Sequence, residues 1–230
     1  MAGEMDKERV GSWEQKWSEG KINFHKQEVH PDLKRWYDKL VPDDRPRTVL
    51  VPLCGKSVDM MWLYSKGHTV IGIECAEKAI LDFFAENKLD FTTSSSVPEA
   101  TLYQTADGRL RLYRADICRL SGETIGAVDG IWDRASYVAM NVEDRPKYAA
   151  LLRSVMAPGC RYLLSTVEYG PCEFRGTPRS VTPADFRPEF ESVADIEHLY
   201  SHPQPDDLPP GLLRCSPAGL QENLYLIVRR

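Results

Sequence analysis

Residues 48–74 read T-V-L-V-P-L-C-G-K-S-V-D-M-M-W-L-Y-S-K-G-H-T-V-I-G-I-E, and this stretch decides the fold. Val49 to Val51 is a short apolar run rich in β-branched residues, which predicts a buried strand. Gly55 ends a tight turn. Val58, Met61 and Trp62 then share one face of a predicted helix, with Gly67 placed to cap it. A second apolar strand, Thr69 to Ile73, stops on the acid Glu74. Strand, turn, helix and strand make the first half of a nucleotide-binding α/β fold.

The acid indicates what such a unit binds. A carboxylate at the end of the second strand, about 20 residues past a glycine turn, can accept hydrogen bonds from the ribose hydroxyls of an adenosine ligand. The alternative is that Glu74 only caps the helix that follows. A dinucleotide site needs G-x-G-x-x-G for its pyrophosphate, and this turn offers Gly55 alone, so NAD is poorly supported. The string C-G-K-S imitates the end of a P-loop, but the glycine required five positions before Gly55 is Leu50, and that reading fails. An acid for ribose without a cradle for phosphate suits S-adenosylmethionine.

Composition points the same way. A chain of 230 residues with 42% hydrophobic content can bury one sizeable core, so one domain over residues 1–230 is expected. The net charge of −5, with both signs interspersed, leaves no nucleic-acid footprint. No apolar run approaches membrane-spanning length, and the start lacks the apolar region of a signal peptide. Cys54, Cys75, Cys118, Cys160, Cys172 and Cys215 are scattered without a C-x-x-C pair, which disfavours zinc and a disulfide framework alike. A reduced cytoplasmic protein with no bound metal is expected.

The first ten residues are polar and read as disordered. Trp13 and Trp17 follow at helical i, i+4 spacing, then Phe24. They are either an amphipathic helix packed on the domain or a flap over a ligand. Pro31 to Leu40 reads as a helix with Leu33, Trp36, Tyr37 and Leu40 inward. After Glu74, Ala76 to Asn87 is a core-facing helix, Asp90 to Ala106 a polar loop, and Leu110 to Arg114 a strand running into Asp116. That acid could reach an adenine amino group or simply cap a turn. Val128 to Asp133 is the fourth strand, placing Asp133 and Arg134 where open sheets bind ligands, although a surface salt bridge would use the same residues. A helix starts at Asp144-Arg145-Pro146 and ends at Gly159, and Arg161 to Val167 is strand five. Gly170 to Pro188 reads as a loop. Two late strands, Ser192 to Leu199 and Leu224 to Val228, have no convincing helix between them. The pattern gives a mostly parallel sheet with a closing hairpin.

The arm W-E-Q-K-W-S-E-G-K-I-N-F-H, the core V-P-L-C-G-K-S-V-D-M-M-W-L, the strand G-H-T-V-I-G-I-E and the string I-W-D-R-A-S-Y-V-A-M together resemble the thiopurine S-methyltransferase family. The resemblance runs from Trp13 to Tyr169. It implies a Rossmann-like α/β fold of S-adenosylmethionine-dependent methyltransferases: a mostly parallel seven-stranded sheet, helices on both faces and an antiparallel closing strand. Residues 1–40 would form an arm over the cofactor.

The activity implied is methyl transfer to the sulfur of aromatic or heterocyclic thiols. The resemblance places Trp13, Trp17, Phe24, Leu53, Glu74, Asp116, Ile117 and Arg134 around the cofactor. Phe24 and Arg134 would also face the substrate, with Arg134 as the catalytic cation. His25 is either a further acid–base candidate or an exposed or hydrogen-bonded structural histidine. Where the family has a G-P-P-F/Y-like string, this chain reads Gly176-Thr177-Pro178-Arg179, which would put the cation Arg179 against the acceptor. The expected partner is a small-molecule thiol, with neither nucleic acid nor membrane, and the chain is expected to be a monomer. The runner-up is a methyltransferase for halide or thiocyanate ions or for selenium and tellurium compounds.

Overall fold

The computed structural model describes residues 2–43, 45–95, 99–170, 174–203, 210–213 and 220–230. The helices are α1 (Ala2–Ser18), α2 (Pro31–Arg35), α3 (Tyr37–Leu40), α4 (Val58–Ser65), α5 (Glu77–Glu86), α6 (Gly122–Ile125), α7 (Arg145–Val155), α8 (Pro183–Phe190) and α9 (Pro210–Leu213). The strands are β1 (Thr48–Val51), β2 (Thr69–Glu74), β3 (Thr92–Ser94), β4 (Ala100–Gln104), β5 (Leu110–Ala115), β6 (Val128–Asp133), β7 (Met156–Glu168), β8 (Ala194–Pro203) and β9 (Gln221–Arg229).

All nine described strands join one sheet in the order β3-β4-β5-β2-β1-β6-β7-β9-β8. Its centre, β5-β2-β1-β6-β7, is parallel. An antiparallel β9 and then β8 close one side, and the β3–β4 hairpin closes the other. The sheet is therefore mixed and nine-stranded rather than seven-stranded, though still parallel through its middle.

Alternation along the central strands builds a core on each face. Leu50, Ile71, Ile73 and Ile131 pack with Tyr148, Leu152 and Val155 of α7 and with Phe186 and Phe190 of α8. Val49, Val51, Val70 and Trp132 pack on the opposite face with Leu33, Leu40, Met60 and Leu63, and with Ile80, Phe83 and Phe84 of α5. Glycine is required inside β2. A Cβ on Gly72 would lie 2.5 Å from Leu112 Cδ2 and 2.7 Å from Cys54 Sγ, so its absence lets the turn after β1 close over the strand.

Several local expectations are corrected. Residues 2–10 of the polar start are part of α1, a helix that has no apolar stripe there and docks through the ion pairs of Arg9 instead. Pro31 to Leu40 breaks at Trp36 into α2 and α3. The loop expected over Asp90 to Ala106 contains β3 and β4. This edge hairpin buries only Ala100 and Tyr103 among its strand residues, so its apolar signal is weak and its order comes from pairing onto β5. Gly159 lies inside β7 at φ +76° and does not cap α7. Part of the loop expected over Gly170 to Pro188 is α8, which starts on T-P-A-D: the Thr182 backbone N–H donates to Asp185 Oδ2 at 2.7 Å, and Pro183 sits in the first turn. Cys172 and Cys215 lie outside the described residues.

Asp133 ends β6 with no solvent exposure. Its Oδ2 accepts from Tyr148 Oη at 2.6 Å and from Tyr162 Oη at 2.7 Å, while Oδ1 accepts from the Tyr137 backbone N–H at 3.0 Å. Neither facing a ligand nor forming a surface salt bridge, the two alternatives for this acid, Asp133 locks β6, β7 and α7 together. Burial pushes its pKa up.

Candidate active site

The carboxyl ends of β1, β2, β5, β6 and β7 frame a cavity of about 840 Å³, where an open parallel sheet receives ligands. Its floor is the turn after β1. Leu53 (φ +43°) and Gly55 (φ +52°) both take left-handed backbone there. For a leucine this conformation is strained, and such residues concentrate at ligand sites. The turn is pinned by hydrogen bonds from Cys54 N to Ile73 O at 2.9 Å and from Gly55 N to Glu74 Oε2 at 2.9 Å.

Glu74 therefore belongs to the turn as well as to β2. Its other oxygen accepts from Ala76 N at 2.8 Å and from the Cys75 thiol at 3.4 Å. The residue is 5% exposed, and burial pushes its pKa up against these donors. A carboxylate has roughly four lone-pair sites, so acceptor capacity remains for a hydroxyl in the cavity. The same side chain thus holds the turn before α5 and lines the cavity.

The arm crosses above this turn. Trp17 is 2% exposed and packs with Ala76 and Ala79, partly covered by Phe24. A Cβ on Gly55 would meet Trp17 Cζ2 at 2.9 Å, so the single glycine also admits the indole. Phe24 meets Trp13 and Trp17 edge-on, with centroids 5.6 and 5.7 Å apart, and all three rings line the cavity. Trp17 is thus packed core and cavity wall together.

Arg134, directly after β6, also lines the cavity, and its Nη1 donates to Phe24 O at 2.9 Å, tying the arm to the sheet. Asp116 and the buried Ile117 line it from the end of β5. Asp116 caps a short 3₁₀ turn, with Cys118 N donating to Oδ1 at 3.0 Å, and its carboxylate is gripped from α1. Arg9 Nη1 and Nη2 lie 2.9 and 2.8 Å from the two Asp116 oxygens, while Arg9 Nε lies 3.1 Å from Asp144. Sequence reasoning missed Arg9, which shares a polar stretch with Lys7, and nothing in the local pattern marks it.

Arg179 is the site residue that the structure does not bring to the cavity wall. Its guanidinium donates to Ala139 O at 2.9 Å and to Asn141 Oδ1 at 2.7 Å, and its backbone N–H bonds Val138 O at 2.8 Å. Thr177 and Pro178 line the cavity in its place. His25 also lines it, with its pKa lowered by burial and then by Lys56. Burial pushes the Cys54 and Cys75 thiols up, so neither is a ready nucleophile.

Beyond Arg134 the wall turns polar. Asp59 accepts from His30 N at 2.8 Å and from Trp132 Nε1 at 2.8 Å. Asp32 N donates to His30 Nδ1 at 3.2 Å, and Ser165 Oγ donates to Glu222 Oε1 at 2.9 Å. Asp32, His202 and Glu222 complete this end. These residues come from α2 and its N-cap, α4, β6, β7, β8 and β9, and no sequence motif joins them.

Comparison with known proteins bears on the family and the fold. The family model for thiopurine S-methyltransferase matches residues 8–230. The "Probable thiopurine S-methyltransferase" of Danio rerio is 41% identical over 194 residues, which cover 84% of each chain. The thiopurine S-methyltransferase of Bos taurus is 36% identical over 201 residues, covering 85% of this chain and 82% of the bovine one. Among solved structures, magnesium protoporphyrin IX methyltransferase from Synechocystis PCC 6803 with bound S-adenosylmethionine superposes with a TM-score of 0.60. It covers 96% of this chain and 91% of its own at 13% identity, a likeness of fold alone.

Proposed function

The chain belongs to the thiopurine S-methyltransferase family, and from that premise we propose that its cavity transfers a methyl group from S-adenosylmethionine to the sulfur of small aromatic or heterocyclic thiols. The observation that carries this reading is the buried Glu74, bonded to the single-glycine turn and opening on a cavity roofed by Trp13, Trp17 and Phe24.

The residues present fit the cofactor. Glu74 keeps acceptor capacity for ribose hydroxyls, Asp116 and Ile117 bound the adenine end, and the left-handed Leu53 with Gly55 opens backbone space for the methionine end. S-Adenosylmethionine, when bound, supplies a sulfonium methyl that passes in line to an acceptor thiolate, the departing sulfur keeping the bonding pair as a neutral thioether. The protein contributes alignment and exclusion of water. Trp13, Trp17 and Phe24 shield the cation, with cation–π attraction worth ~0.5–2 kcal/mol. Acidic heterocyclic thiols are partly ionised at neutral pH, so no strong base is required. Arg134 attracts the thiolate and orients the ring through its planar fork of donors. Arg9, held between Asp116 and Asp144, anchors the arm over the adenine end.

The expected enzyme acts as a monomer in the cytoplasm. Free thiols at Cys54, Cys75, Cys118 and Cys160 support a reducing compartment. Among the described residues, no helix is long and apolar enough to cross a membrane.

Arg134→Lys tests the acceptor side. Lysine keeps the charge but loses the fork, so kcat/KM for aromatic thiolates should fall about 5–10-fold, the loss of ~1 kcal/mol of oriented hydrogen bonding. Affinity for S-adenosylhomocysteine should fall less than kcat/KM, because Glu74 and the turn are untouched and only the bond from Arg134 to Phe24 O that ties the arm is weakened. Unchanged thiol kinetics would remove Arg134 from the acceptor site.

A further inference from the structure

The polar far end of the cavity holds a charge imbalance that the methyl-transfer machinery does not use. Side-chain donor atoms of His30, Asp32 and Glu222 lie within 4.8 Å of one another. His30 Nδ1 is 4.0 Å from Asp32 Oδ2, and His30 Nε2 is 4.0 Å from Glu222 Oε1. Among the described residues, neither carboxylate has a lysine or arginine at ion-pair distance. Arg35, on the same helix as Asp32, lies instead over the Tyr200 and Trp36 rings at 4.5 and 5.2 Å.

The imidazole does not supply the missing charge. The Asp32 backbone N–H donates to Nδ1, so that nitrogen carries a lone pair, and in the neutral ring the proton sits on Nε2. Burial, with Arg134 and Lys26 nearby, holds the ring neutral by lowering its pKa to about 4. The same tautomer argues against a divalent metal, because Nδ1 is occupied and Nε2 is protonated, leaving no nitrogen ligand. What remains is a pair of close carboxylates, steadied by Ser165 on Glu222, on the wall of a ligand cavity.

We propose that Asp32 and Glu222 form a subsite for a protonated amine on the methyl acceptor, so that the preferred substrate is an aromatic thiol bearing an ammonium group on the far side of its ring from the sulfur. The proposal rests on the methyltransferase reading of the cavity and names its substrate class. Arg134 draws the thiolate and the carboxylates draw the ammonium, so the acceptor lies along the line between them. Arg179, the cation the loop sequence would put against the acceptor, does not compete, because its guanidinium is engaged elsewhere. Cofactor carries an ammonium of its own, but strand order sets the two apart. The methionine end that carries it lies at the turn after β1, and Glu222 lies on β9, three strands away, or roughly 14 Å at ~4.8 Å per strand. Arg134 follows β6, between them.

Wild-type protein and the Asp32→Asn/Glu222→Gln double variant are to be assayed with 4-(aminomethyl)benzenethiol, 4-methylbenzenethiol and 4-mercaptobenzoate at neutral pH. S-Adenosylhomocysteine affinity is measured on both proteins by calorimetry. For wild type, kcat/KM should be about 10-fold higher for the ammonium thiol than for its methyl analogue, the worth of one charge-assisted hydrogen bond, and lowest for the carboxylate, which the two acids repel. The double variant should bring the three thiols within about twofold of one another while binding S-adenosylhomocysteine like wild type. A wild-type enzyme without preference for the ammonium thiol overturns the proposal, as does a preference that survives in the double variant. A parallel loss of S-adenosylhomocysteine affinity also overturns it by assigning the carboxylates to the cofactor. Methylation of the neutral thiol without ammonium preference removes only this subsite, whereas methylation of none of the three removes the methyltransferase reading with it.

Discussion

Replacing Glu74 with alanine will weaken S-adenosylhomocysteine binding about 10–150-fold, a loss of ~1.5–3 kcal/mol, the range for hydrogen bonds to a charged group. Two effects combine in that figure. The ligand hydroxyls lose their acceptor, and the backbone N–H groups of Gly55 and Ala76, held by the carboxylate at 2.9 and 2.8 Å, lose theirs. The second effect loosens the turn that carries Leu53, so the methionine end of the cofactor should suffer along with the ribose. Calorimetric titration of wild type and variant, with thermal unfolding of both as a control, separates lost contacts from lost fold. Binding within twofold of wild type in a folded variant would show that Glu74 only ties the turn.

Asp133→Ala carries the largest stability cost. It leaves Tyr148 Oη, Tyr162 Oη and the Tyr137 N–H without their acceptor inside a site closed to solvent. Each stranded donor costs ~1–3 kcal/mol, and relief of the buried charge returns part of that. A net loss of ~3–5 kcal/mol is expected. At ~2–4 °C per kcal/mol for a chain of this size, the melting temperature should drop by about 6–20 °C. Asp133→Asn should fall between, since its amide presents a donor where one oxygen accepted. Because Arg134 is the next residue, the same network sets where the acceptor-facing cation begins. A melting temperature within about 2 °C of wild type for Asp133→Ala would show that the tyrosines find other partners.

The parts of the fold legible in sequence are those whose local pattern and tertiary environment agree. β1, β2 and β6 are apolar on both faces because helices cover both sides of the sheet, so their runs announce buried strands. The β3–β4 hairpin is an exposed edge held by pairing, and the first turns of α1 are polar and held by Arg9, so neither carries an apolar period to read; only Trp13 and Trp17 mark the end of α1. α8 does carry a signal, the T-P-A-D start, but the prolines around it suggest a loop.

The site divides the same way. Glu74 is legible because the strand-turn-helix-strand spacing fixes where its carboxylate goes. Asp32 and Glu222 are separated by most of the chain and meet only when β9 lies beside β7. Arg179 is not legible, because the residues of a loop do not reveal its path. The bond from its backbone N–H to Val138 O turns the side chain toward Asn141.

The fate of the methyl group is the most direct test of the proposed activity. Purified protein incubated with methyl-labelled S-adenosylmethionine and an aromatic thiol should yield the labelled methyl thioether, with S-adenosylhomocysteine formed in equal amount. Cofactor that binds tightly while no sulfur acceptor takes up label would contradict it.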